Sequence, residues 1–439
     1  MGFYYRKSQY MSKAYPTYKD SGIEWLGQIP THWDLLRNKI FITEHDNVVG
    51  QDAYKYTLLS LTKQGVIQRD IESGKGKFPK EFDNYKIVES GNIIFCLFDV
   101  DETPRTVGLS SIDGMITGAY NVFSIKGINS QFYYYYFLAV DEAKALRPLY
   151  SGLRKVVKTE RFAGLRIPVP PEEEQRQIVA YLDYKSNKIN ERIYQREREL
   201  QTLSELKQAE IAAVVTRGLD PNVPMKESGI EWLGKIPAHW EVTQLRKYLR
   251  LFSDKGHPDM DLLSVTREQG VIVRDITSKE ENHNFIPDDL SGYKLIQKGQ
   301  FAINKMKAWQ GSYGVSKYKG IVSPAYYTCE LNNIDTEYFD VAIRSQAYIG
   351  FFTKYSKGIR SGQWDLSPDA LKSIPFVEPP IVEQRAIVSY ITEISEKIDS
   401  YITKLKEEIN YLQEYKQRLI SDVVTGKVDV RGVEISSEE

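Results

Sequence analysis

The 439-residue sequence contains only two cysteines, Cys96 and Cys329, and neither lies in a metal-binding spacing. We expect both to be buried free thiols in a reducing cytoplasm rather than parts of a disulfide framework. The five histidines are too scattered for a zinc motif. No apolar run approaches the ~18 residues of a membrane-spanning helix, and the first residues lack a signal-peptide pattern. Met11 is an alternative start, because the internal repeat described below begins only near Tyr15.

The sequence also lacks the short motifs of several enzyme classes. It has no Gly-x-x-x-x-Gly-Lys-Ser/Thr loop for a nucleotide and no dinucleotide-type glycine fingerprint. Its two Pro-Pro pairs lack the flanking residues of the amino-methyltransferase tetrapeptide. Scattered acidic residues leave a nuclease site open as an alternative, but no pattern singles any of them out. The motifs searched for therefore indicate no particular enzyme class.

The net charge of −1 argues against binding to nucleic acid through overall charge. Basic residues are instead concentrated in two windows. Residues 144–166 hold seven Lys or Arg against one acid, and residues 305–319 hold four Lys and no acid. Locally basic surface on a neutral chain suits phosphate contacts at chosen places. A solvated charged face is the alternative interpretation of either window.

An internal repeat dominates the sequence. The peptide Ser21–Trp33 returns as Ser228–Trp240 with only two substitutions, and Leu58–Asp70 is echoed by Leu262–Asp275 with one inserted residue. An Ile-Pro, Pro-Pro and Glu-Gln-Arg series follows in each copy. The period is too long for a solenoid and fits a whole domain followed by a spacer. The histidine in each repeated Pro-x-His-Trp is predicted to be structural, beside its tryptophan.

A long amphipathic helix is predicted after each Pro-Pro pair. Proline and acidic residues are favourable at a helix start, and apolar residues then recur every three or four positions as far as Gly218 and Gly426. Each helix would be roughly 60–70 Å long at about 1.5 Å per residue. So narrow an apolar stripe requires a partner, and a pseudo-twofold axis would pair the two helices antiparallel. A coil that dimerises two molecules is the alternative.

The region ahead of each long helix has the pattern of a mixed α/β domain. One helix is expected in each, at Phe132–Leu146 and Tyr338–Phe352, and Thr159 and Ser367 are predicted N-caps of short helices. The predicted strands include Tyr56–Leu61, Asn92–Leu97, Leu262–Thr266 and Gln300–Asn304.

Two loops of the second half combine residues that can contact DNA. Asn304–Gly311 carries Lys, Trp and Gln after a predicted strand, and Ser356–Trp364 carries Lys, Arg, Gln and Trp; the counterpart of the latter is Ser151–Lys158. Arg and Lys reach guanine edges or phosphates, Gln pairs with adenine, and Gly lets the backbone approach closely. Core packing is the alternative for Trp309 and Trp364.

The two copies diverge most where Phe95–Thr106 stands against the Lys- and Trp-containing loop of the second copy. Such divergence is expected of segments that read different sequences, and it is not expected of a shared catalytic segment.

In its order of motifs the chain resembles the specificity subunit of type I restriction–modification systems. Two features carry the resemblance, which covers the chain from about residue 15: the duplicated Gly-Ile-Glu-Trp-Leu-Gly-x-Ile-Pro-x-His-Trp peptide, and the Ile-Pro, Pro-Pro, Glu-Gln-Arg-x-Ile-Val series. The resemblance implies an α/β protein with two mixed α/β target-recognition domains separated by a long antiparallel two-helix coiled coil, with an internal pseudo-twofold repeat. The implied segments are residues 15–168 (first recognition domain), 169–219 (central helix), 220–376 (second recognition domain), 377–427 (distal helix) and 428–439 (tail).

The resemblance also implies a function. Each recognition domain would read one half of a split, asymmetric site in double-stranded DNA, and the coiled coil would set the gap. Two copies of a methyltransferase subunit would bring S-adenosylmethionine and methylate adenine, and a translocase-nuclease subunit would bring ATP and Mg chemistry. The chain itself would catalyse nothing. A stand-alone DNA-reading endonuclease and a purely structural homodimer are the rival interpretations.

The family's base-reading loops match two sets of positions in this sequence. The first recognition domain departs from the family's usual Lys-Met-Lys-Ala-Trp-like loop, so its residues in that loop are matched by position alone. The DNA-binding residues implied are Arg105, Thr106, Arg154, Lys155 and Lys158 in the first domain and Lys305, Lys307, Trp309, Gln310, Gly311, Arg360, Ser361, Gln363 and Trp364 in the second.

We expect Arg360→Ala to weaken binding at the second half-site by about 1–3 kcal/mol if Arg360 contacts a base, and to weaken binding to all sequences alike if it contacts a phosphate. Titration with duplexes that differ only in the second half-site separates the two outcomes. Unchanged affinity together with unchanged methylation would contradict the assignment.

Overall fold

Two units make up the chain in the computed structural model, which describes residues 14–69, 82–151, 155–231, 233–275, 286–360 and 363–434. The first unit contains Met1–Arg196 and Glu407–Glu439, and the second contains Glu197–Lys406. Each unit therefore holds one mixed α/β half of the sequence together with parts of two long helices. Within the described ranges, no helix is both long enough and apolar enough to cross a lipid bilayer.

The first unit is built on a four-stranded antiparallel sheet accompanied by two-stranded ladders. Its helices are α1 (Ser130–Glu142), α2 (Thr159–Gly164) and the long α3 (Glu172–Arg217), which continues into the second unit. Its strands are β1 (Tyr18–Asp20), β2 (Gln28–Pro30), β3 (Asp34–Arg37), β4 (Ile42–His45), β5 (Leu59–Thr62), β6 (Gly65–Gln68), β7 (Lys86–Val88), β8 (Ile93–Phe95), β9 (Val107–Leu109), β10 (Gly114–Ile116), β11 (Asn121–Ile125), β12 (Tyr150–Ser151), β13 (Val156–Val157) and β14 (Arg166–Val169). The large sheet has the order β4-β11-β8-β9, and β5 pairs with β6 in a hairpin.

The second unit contains the same order of elements, except that two helices stand where the first unit has α1. Its helices are α4 (Thr336–Arg344), α5 (Gln346–Tyr355), α6 (Pro368–Ser373) and the long α7 (Ile381–Val424), which continues into the first unit. Its strands are β15 (Met225–Glu227), β16 (Lys235–Pro237), β17 (Glu241–Gln244), β18 (Leu249–Phe252), β19 (Leu263–Thr266), β20 (Gly270–Val273), β21 (Lys294–Ile296), β22 (Phe301–Asn304), β23 (Tyr313–Val315), β24 (Gly320–Val322), β25 (Tyr326–Leu331), β26 (Lys357–Arg360), β27 (Gln363–Asp365) and β28 (Pro375–Glu378). Its large sheet, β18-β25-β22-β23, matches the first sheet strand for strand, and β19 with β20 forms the corresponding hairpin.

Two sequence-based details of the short helices need correction. The single helix predicted at Tyr338–Phe352 is broken at Ser345, whose backbone is extended and whose hydroxyl donates to the carbonyl of Ala342 at 2.7 Å. This local hydrogen bond replaces one of the helix backbone. Ser367 is the N-cap that was predicted for α6, but α2 is preceded by Lys158 at its N-cap, and Thr159 is already helical.

Aromatic side chains fill the space between each large sheet and its helix. Phe95 and Phe137 meet edge to face with ring centres 5.1 Å apart, and Phe301 and Phe339 do the same at 5.2 Å. Such pairs contribute about 0.5–1.5 kcal/mol beyond their buried area. The predicted strands near residues 92–97 and 300–304 are thus core strands, with Cys329 buried in the second core. Burial raises the pKa of the Cys329 thiol to about 12, so it is a protonated, inert free thiol, and the free thiol of Cys96 is likewise buried.

The end of a long helix completes each core. In the first unit, Trp33 of the repeated peptide is fully buried in the same cluster as Val423, near the end of α7. In the second unit, Trp240 is fully buried in the same cluster as Val215, near the end of α3. A β-carbon on Gly426 would stand 2.3 Å from Pro30, so only glycine allows the chain to turn against the first repeated peptide.

The two long helices run antiparallel within each unit. As the residue number rises along α3, the residue number of the contacting residue on α7 falls. The apolar positions Ile189, Ile398 and Leu405 are buried along the helices. The polar contacts between them include Asn190–Lys416 (2.8 Å) and Arg192–Glu408 (3.2 Å) in the first unit and Lys207–Asp399 (2.7 Å) and Glu210–Tyr390 (2.7 Å) in the second. Exposed pairs of this kind contribute little individually, so buried apolar residues stabilise the helix pair.

A buried glutamate at the start of α3 joins the repeated peptide to the long helix. Trp33 Nε1 donates to Glu174 Oε1 at 2.9 Å, and His32 Nε2 lies 2.7 Å from Glu174 Oε2. The Tyr15 hydroxyl donates to Oε1 at 2.6 Å. Burial and the bond to Glu174 raise the pKa of Tyr15, so its hydroxyl stays protonated. A carboxylate that is only 5% exposed is tolerated because three groups hydrogen-bond to it.

The second unit uses the same arrangement nearer to solvent. Trp240 Nε1 donates to Glu383 Oε2 at 2.9 Å, and His239 Nε2 lies 2.6 Å from Oε1. The Glu383 side chain is 38% exposed. The prediction that both repeated histidines are structural is confirmed, and the acceptor that holds them is the glutamate of the Glu-Gln-Arg series.

The glutamine next to each glutamate ties two helix starts together. Gln175 accepts from the backbone N–H of Asn129 at 2.8 Å, and its amide nitrogen donates to the carbonyl of Pro170 at 2.8 Å. Asn129 is also the N-cap of α1. Gln384 makes the same two bonds in the second unit, at 3.0 and 2.9 Å. The repeated motifs are therefore scaffold residues.

We expect Glu174→Ala to lower the free energy of unfolding by about 2–4 kcal/mol, because two buried donors, of Trp33 and Tyr15, lose their acceptor at about 1–3 kcal/mol each. The matched change Glu383→Ala should cost about 1 kcal/mol, since water can replace the half-exposed carboxylate. Denaturant unfolding followed by tryptophan fluorescence measures both. Equal losses in the two variants would contradict this account.

Candidate nucleic-acid interface

The predicted reading loop of the second unit directly follows the core strand β22. A one-turn helix at Ala308–Gln310 forms its middle, and Gly311 ends that turn with a φ of +92°. A side chain at this φ would be strained, so glycine is needed for the turn. Lys307 is exposed, Gln310 is half-buried and Gly311 is buried. Lys307 and Gln310 are thus reachable from solvent, whereas Gly311 shapes the loop from beneath.

The structure brings this loop against the second predicted segment of the same unit. The rings of Trp309 and Trp364 lie 5.2 Å apart, centre to centre, and both side chains are half-buried. Lys305 Nζ lies 3.2 Å from Asp365 Oδ2. The carbonyl of Lys305 also accepts from the backbone N–H of Leu366 at 3.1 Å. Two stretches that were singled out separately in the sequence therefore form one surface.

Part of the second predicted segment, Ser356–Trp364, lies outside the described residues. The backbones of Arg360 and Gln363 face each other as partners of β26 and β27. Their side chains, and the whole of Ser361, lie outside the described residues. The predictions for these three positions remain predictions.

The corresponding loop of the first unit is acidic and is held by basic side chains. The Tyr150 hydroxyl donates to Asp101 at 2.6 Å, and Lys155 Nζ lies 3.7 Å from Asp101 and also pairs with Glu102. Arg147 Nε lies 4.0 Å from Asp101. The bond from Tyr150, followed by the charges of Lys155 and Arg147, lowers the pKa of Asp101. Lys155, predicted to contact DNA, is therefore paired with carboxylates within its own unit.

Thr106 does not present its side chain to solvent, against the sequence-based prediction. It is 1% exposed, its hydroxyl donates to Asp141 Oδ1 at 2.8 Å, and its backbone N–H donates to Oδ2 at 3.0 Å. Lys144 pairs with the same carboxylate at 3.0 Å. Thr106 therefore fixes α1 to the sheet edge in this structure, and its contact with DNA stays a prediction.

Most of the basic window 144–166 is neutralised by acids that are distant in sequence. Lys144, Arg147 and Lys155 all pair with carboxylates of residues 101, 102 or 141. Lys158 is exposed and has no ion-pair partner among the described residues. Arg154 lies outside the described part of the chain. The window is therefore less available to phosphate than its composition indicates.

Each predicted loop contains a buried N–H group without a hydrogen-bond partner within the described part of the chain. In the first unit it is Nε of Arg105, whose Nη2 lies 3.4 Å from the carbonyl oxygen of Lys63. In the second unit it is Nε1 of Trp309. An unpaired buried donor costs about 1–3 kcal/mol. Such donors at matching loops are consistent with a surface that is completed by a ligand.

Among the described residues, no three His, Cys, Asp or Glu side chains group closely enough to hold a metal ion. The signal that the sequence reasoning missed is the acidic set Asp99, Asp101 and Glu102. Its position after β8, matching Lys305 and Lys307 after β22, could have been found by aligning the two halves. The two candidate surfaces thus differ in charge while sharing a scaffold.

Comparison with known proteins gives a family match, one relative that is matched over nearly its whole length and one that is matched over part of its length. The family model described as the type I restriction modification DNA specificity domain matches residues 51–199. The putative type I restriction enzyme MjaX specificity subunit of Methanocaldococcus jannaschii is 20% identical over 435 residues, which cover 92% of this chain and 96% of that protein. The MjaVIII specificity subunit of the same organism is 23% identical over 290 residues, covering 62% of this chain and 64% of that protein.

A solved chain, from work on complex assembly and conformational transition of the type I R-M system, has a TM-score of 0.59 and 14% identity to this chain. The alignment covers 90% of this chain and 98% of that one. At this identity the likeness concerns the fold, which is shared along nearly the whole length of both chains.

We expect Trp309→Phe to leave the free energy of unfolding unchanged or to raise it by up to about 1 kcal/mol, because the variant removes an unpaired buried donor. DNA binding at the second half-site should weaken, since the variant also loses the donor whose missing hydrogen bond a ligand would complete. The control Trp240→Phe removes a donor that Glu383 already binds and should lower stability. Denaturant unfolding and DNA titration provide the two readouts. A stability loss for Trp309→Phe that equals the control would sink the idea.

Proposed function

Since the chain belongs to the specificity-subunit family of type I restriction–modification systems, we propose that it reads a split, asymmetric DNA site. Family membership confirms the resemblance inferred from the duplicated motifs. A specificity subunit recognises DNA and is not itself catalytic. In the proposed function, each half of the chain reads one half of the site, and partner subunits carry out adenine methylation and restriction.

The observation that carries the proposal is the contrast between scaffold and loops. The two large sheets have the same strand order, and the same Trp–Glu contact anchors each half to a long helix. On this common scaffold, the loop after β8 carries Asp101 and Glu102, whereas the loop after β22 carries Lys305 and Lys307. Carboxylates accept from the cytosine amino group and basic groups donate to guanine. Different loops on equal scaffolds suit two different half-sequences.

The long helices support a role in setting the gap between the half-sites. We propose that they form an antiparallel two-helix coiled coil between two target-recognition domains, related by an internal pseudo-twofold axis. The antiparallel contacts of α3 and α7 within each unit, and the unbroken length of both helices, support this arrangement. A rigid helix pair fixes the distance that the DNA must span between two readers.

The partners follow from the proposal. Double-stranded DNA is the ligand, and two copies of a methyltransferase subunit would supply S-adenosylmethionine chemistry. A translocase-nuclease subunit, where present, would supply the ATP- and Mg-dependent steps. A solved neighbour that comes from complex assembly of the type I R-M system supports association with such subunits. The complex would act in the cytoplasm, on the host's own DNA and on incoming DNA.

The test is to express the chain with a methyltransferase subunit of its system and to map modified adenines across the host genome. We expect a split motif, methylated on opposite strands of its two halves, that is absent when the methyltransferase subunit is expressed alone. A soluble complex that produces no new methylation would contradict the proposal.

A length variant tests the gap. Four residues inserted into each helix at facing positions, beside Lys207 and Asp399, lengthen the helix pair by about 6 Å. This is close to two base pairs, given about 34–36 Å per turn of 10–10.5 base pairs. Both half-sequences should persist in the methylation map with a longer gap between them. An unchanged gap would show that the helices do not set it.

A further inference from the structure

One surface element near the candidate loops is retained in both halves, although none of its residues is among those predicted to contact DNA. It is the tip of the hairpin β5–β6, Thr62–Gly65, and of the hairpin β19–β20, Thr266–Gly270. In each tip the threonine hydroxyl donates to the carbonyl of the closing glycine, at 3.0 and 3.2 Å, and accepts a glutamine N–H at 3.2 Å. The two tips therefore have the same internal hydrogen bonds despite one inserted residue in the second.

Each hairpin lies directly over the strand that follows the candidate reading loop. A β-carbon on Gly108 of β9 would stand 2.7 Å from Val66 Cγ2, and one on Gly314 of β23 would stand 3.1 Å from Gly270 Cα. Both edge strands thus carry glycine at the matching position because the hairpin leaves no room for a side chain. The close approach fixes the hairpin tip beside the loop in each unit.

Contacts between tip and loop confirm this proximity. In the first unit, Nη2 of the loop residue Arg105 lies 3.4 Å from the carbonyl oxygen of Lys63 in the tip. In the second unit, Arg267 Cγ of the tip lies 3.8 Å from the place where a β-carbon on the loop residue Gly311 would stand. The second tip is also fixed by Arg344, whose Nη2 donates to the carbonyl of its Glu268 at 2.6 Å.

Both tips carry a basic side chain at the same place, immediately after the threonine. Lys63 and Arg267 are exposed, and neither forms an ion pair with any residue that the structure describes. The inserted Glu268 does not pair with Arg267 in the structure. Lys155 and Lys305 of the variable segments differ in this respect, because carboxylates hold them.

If the two halves read different sequences, the residues that both halves share and the residues that differ between them have different physical causes. The two half-sites differ in their bases but share the phosphate backbone. Contacts with bases must therefore differ between the halves, whereas contacts with phosphates can stay the same. A basic residue that is unpaired, exposed, fixed beside the variable loop and retained in both copies has the properties of a phosphate contact.

On this ground, which rests on the function proposed above, we infer that Lys63 and Arg267 form a pair of sequence-independent phosphate clamps, one beside each reading loop. Each clamp fixes the DNA backbone relative to its loop, so that the loop side chains meet the base edges in register. Arg69 and Arg274, at the opposite end of the hairpins, have interactions within the protein and are not part of the clamps.

The test measures the affinity of the full complex with its methyltransferase subunits for two duplexes, one with the mapped site and one without it, over a range of salt concentrations. Lys63→Ala and Arg267→Ala should each weaken binding to both duplexes by the same factor. Each should also make the slope of log affinity against log salt concentration less negative by about 0.9, the value for one phosphate contact. The charge-preserving variants Lys63→Arg and Arg267→Lys should restore most of the slope.

Two charge controls match these variants. Lys55→Ala and Lys397→Ala each remove an exposed lysine that is already paired, with Asp52 and Glu393 respectively, and should leave the slope unchanged. A loss confined to the duplex with the mapped site would identify base contacts and overturn the inference. So would an unchanged slope, or a loss of methyltransferase subunits from the complex on size exclusion. If the wild-type complex itself shows no preference for the mapped site, the proposed function fails instead.

Discussion

The hydrogen bond from Trp33 to the buried carboxylate of Glu174 is the contact on which the first unit depends. Removing a carboxylate from water costs several kcal/mol unless donors surround it, and here an indole, a tyrosine hydroxyl and an imidazole do so. Because Glu174 stands in the first turn of α3, its negative charge also lies at the favourable end of the helix dipole. The start of the first unit is thus fixed to the start of α3. This contact sets the position of the loops relative to the helix.

The second unit has the same contact between its repeated peptide and its long helix, but the glutamate is less buried. Glu383 is 38% exposed, and among the described residues it accepts hydrogen bonds from Trp240 and His239 without a counterpart to the tyrosine. Equal geometry with unequal burial means that the two units need not be equally stable. The scaffold tolerates this because the core aromatic pairs and the helix end behind each tryptophan are retained in both halves.

The sequence predicted the elements of the fold where their cause is a local or periodic pattern of residues. Helical spacing, the Pro-Pro starts and the glycine stops located both long helices, and the repeat located matching strands. It failed where the cause lies far away along the chain. Lys155 pairs with Glu102, 53 positions earlier, a residue that no window of composition around residue 155 contains. Thr106 is likewise fixed by Asp141, thirty-five positions away. Side-chain pairing across a fold cannot be read from the composition of one segment.

The charge distribution bears on how such a chain could discriminate between DNA sequences. Each phosphate contact adds to the affinity for every duplex, so many free cations would raise non-specific binding along with specific binding. Here several basic side chains near the loops, including Lys155 and Lys305, are paired, and the net charge is −1. Each pairing lowers the sequence-independent part of the binding energy. The difference between a correct and an incorrect site then depends mainly on base contacts, which are worth about 1–3 kcal/mol per base pair. In the proposed function, the ion pairs that make Lys155 and Lys305 less available to phosphate would therefore favour specificity at the expense of overall affinity.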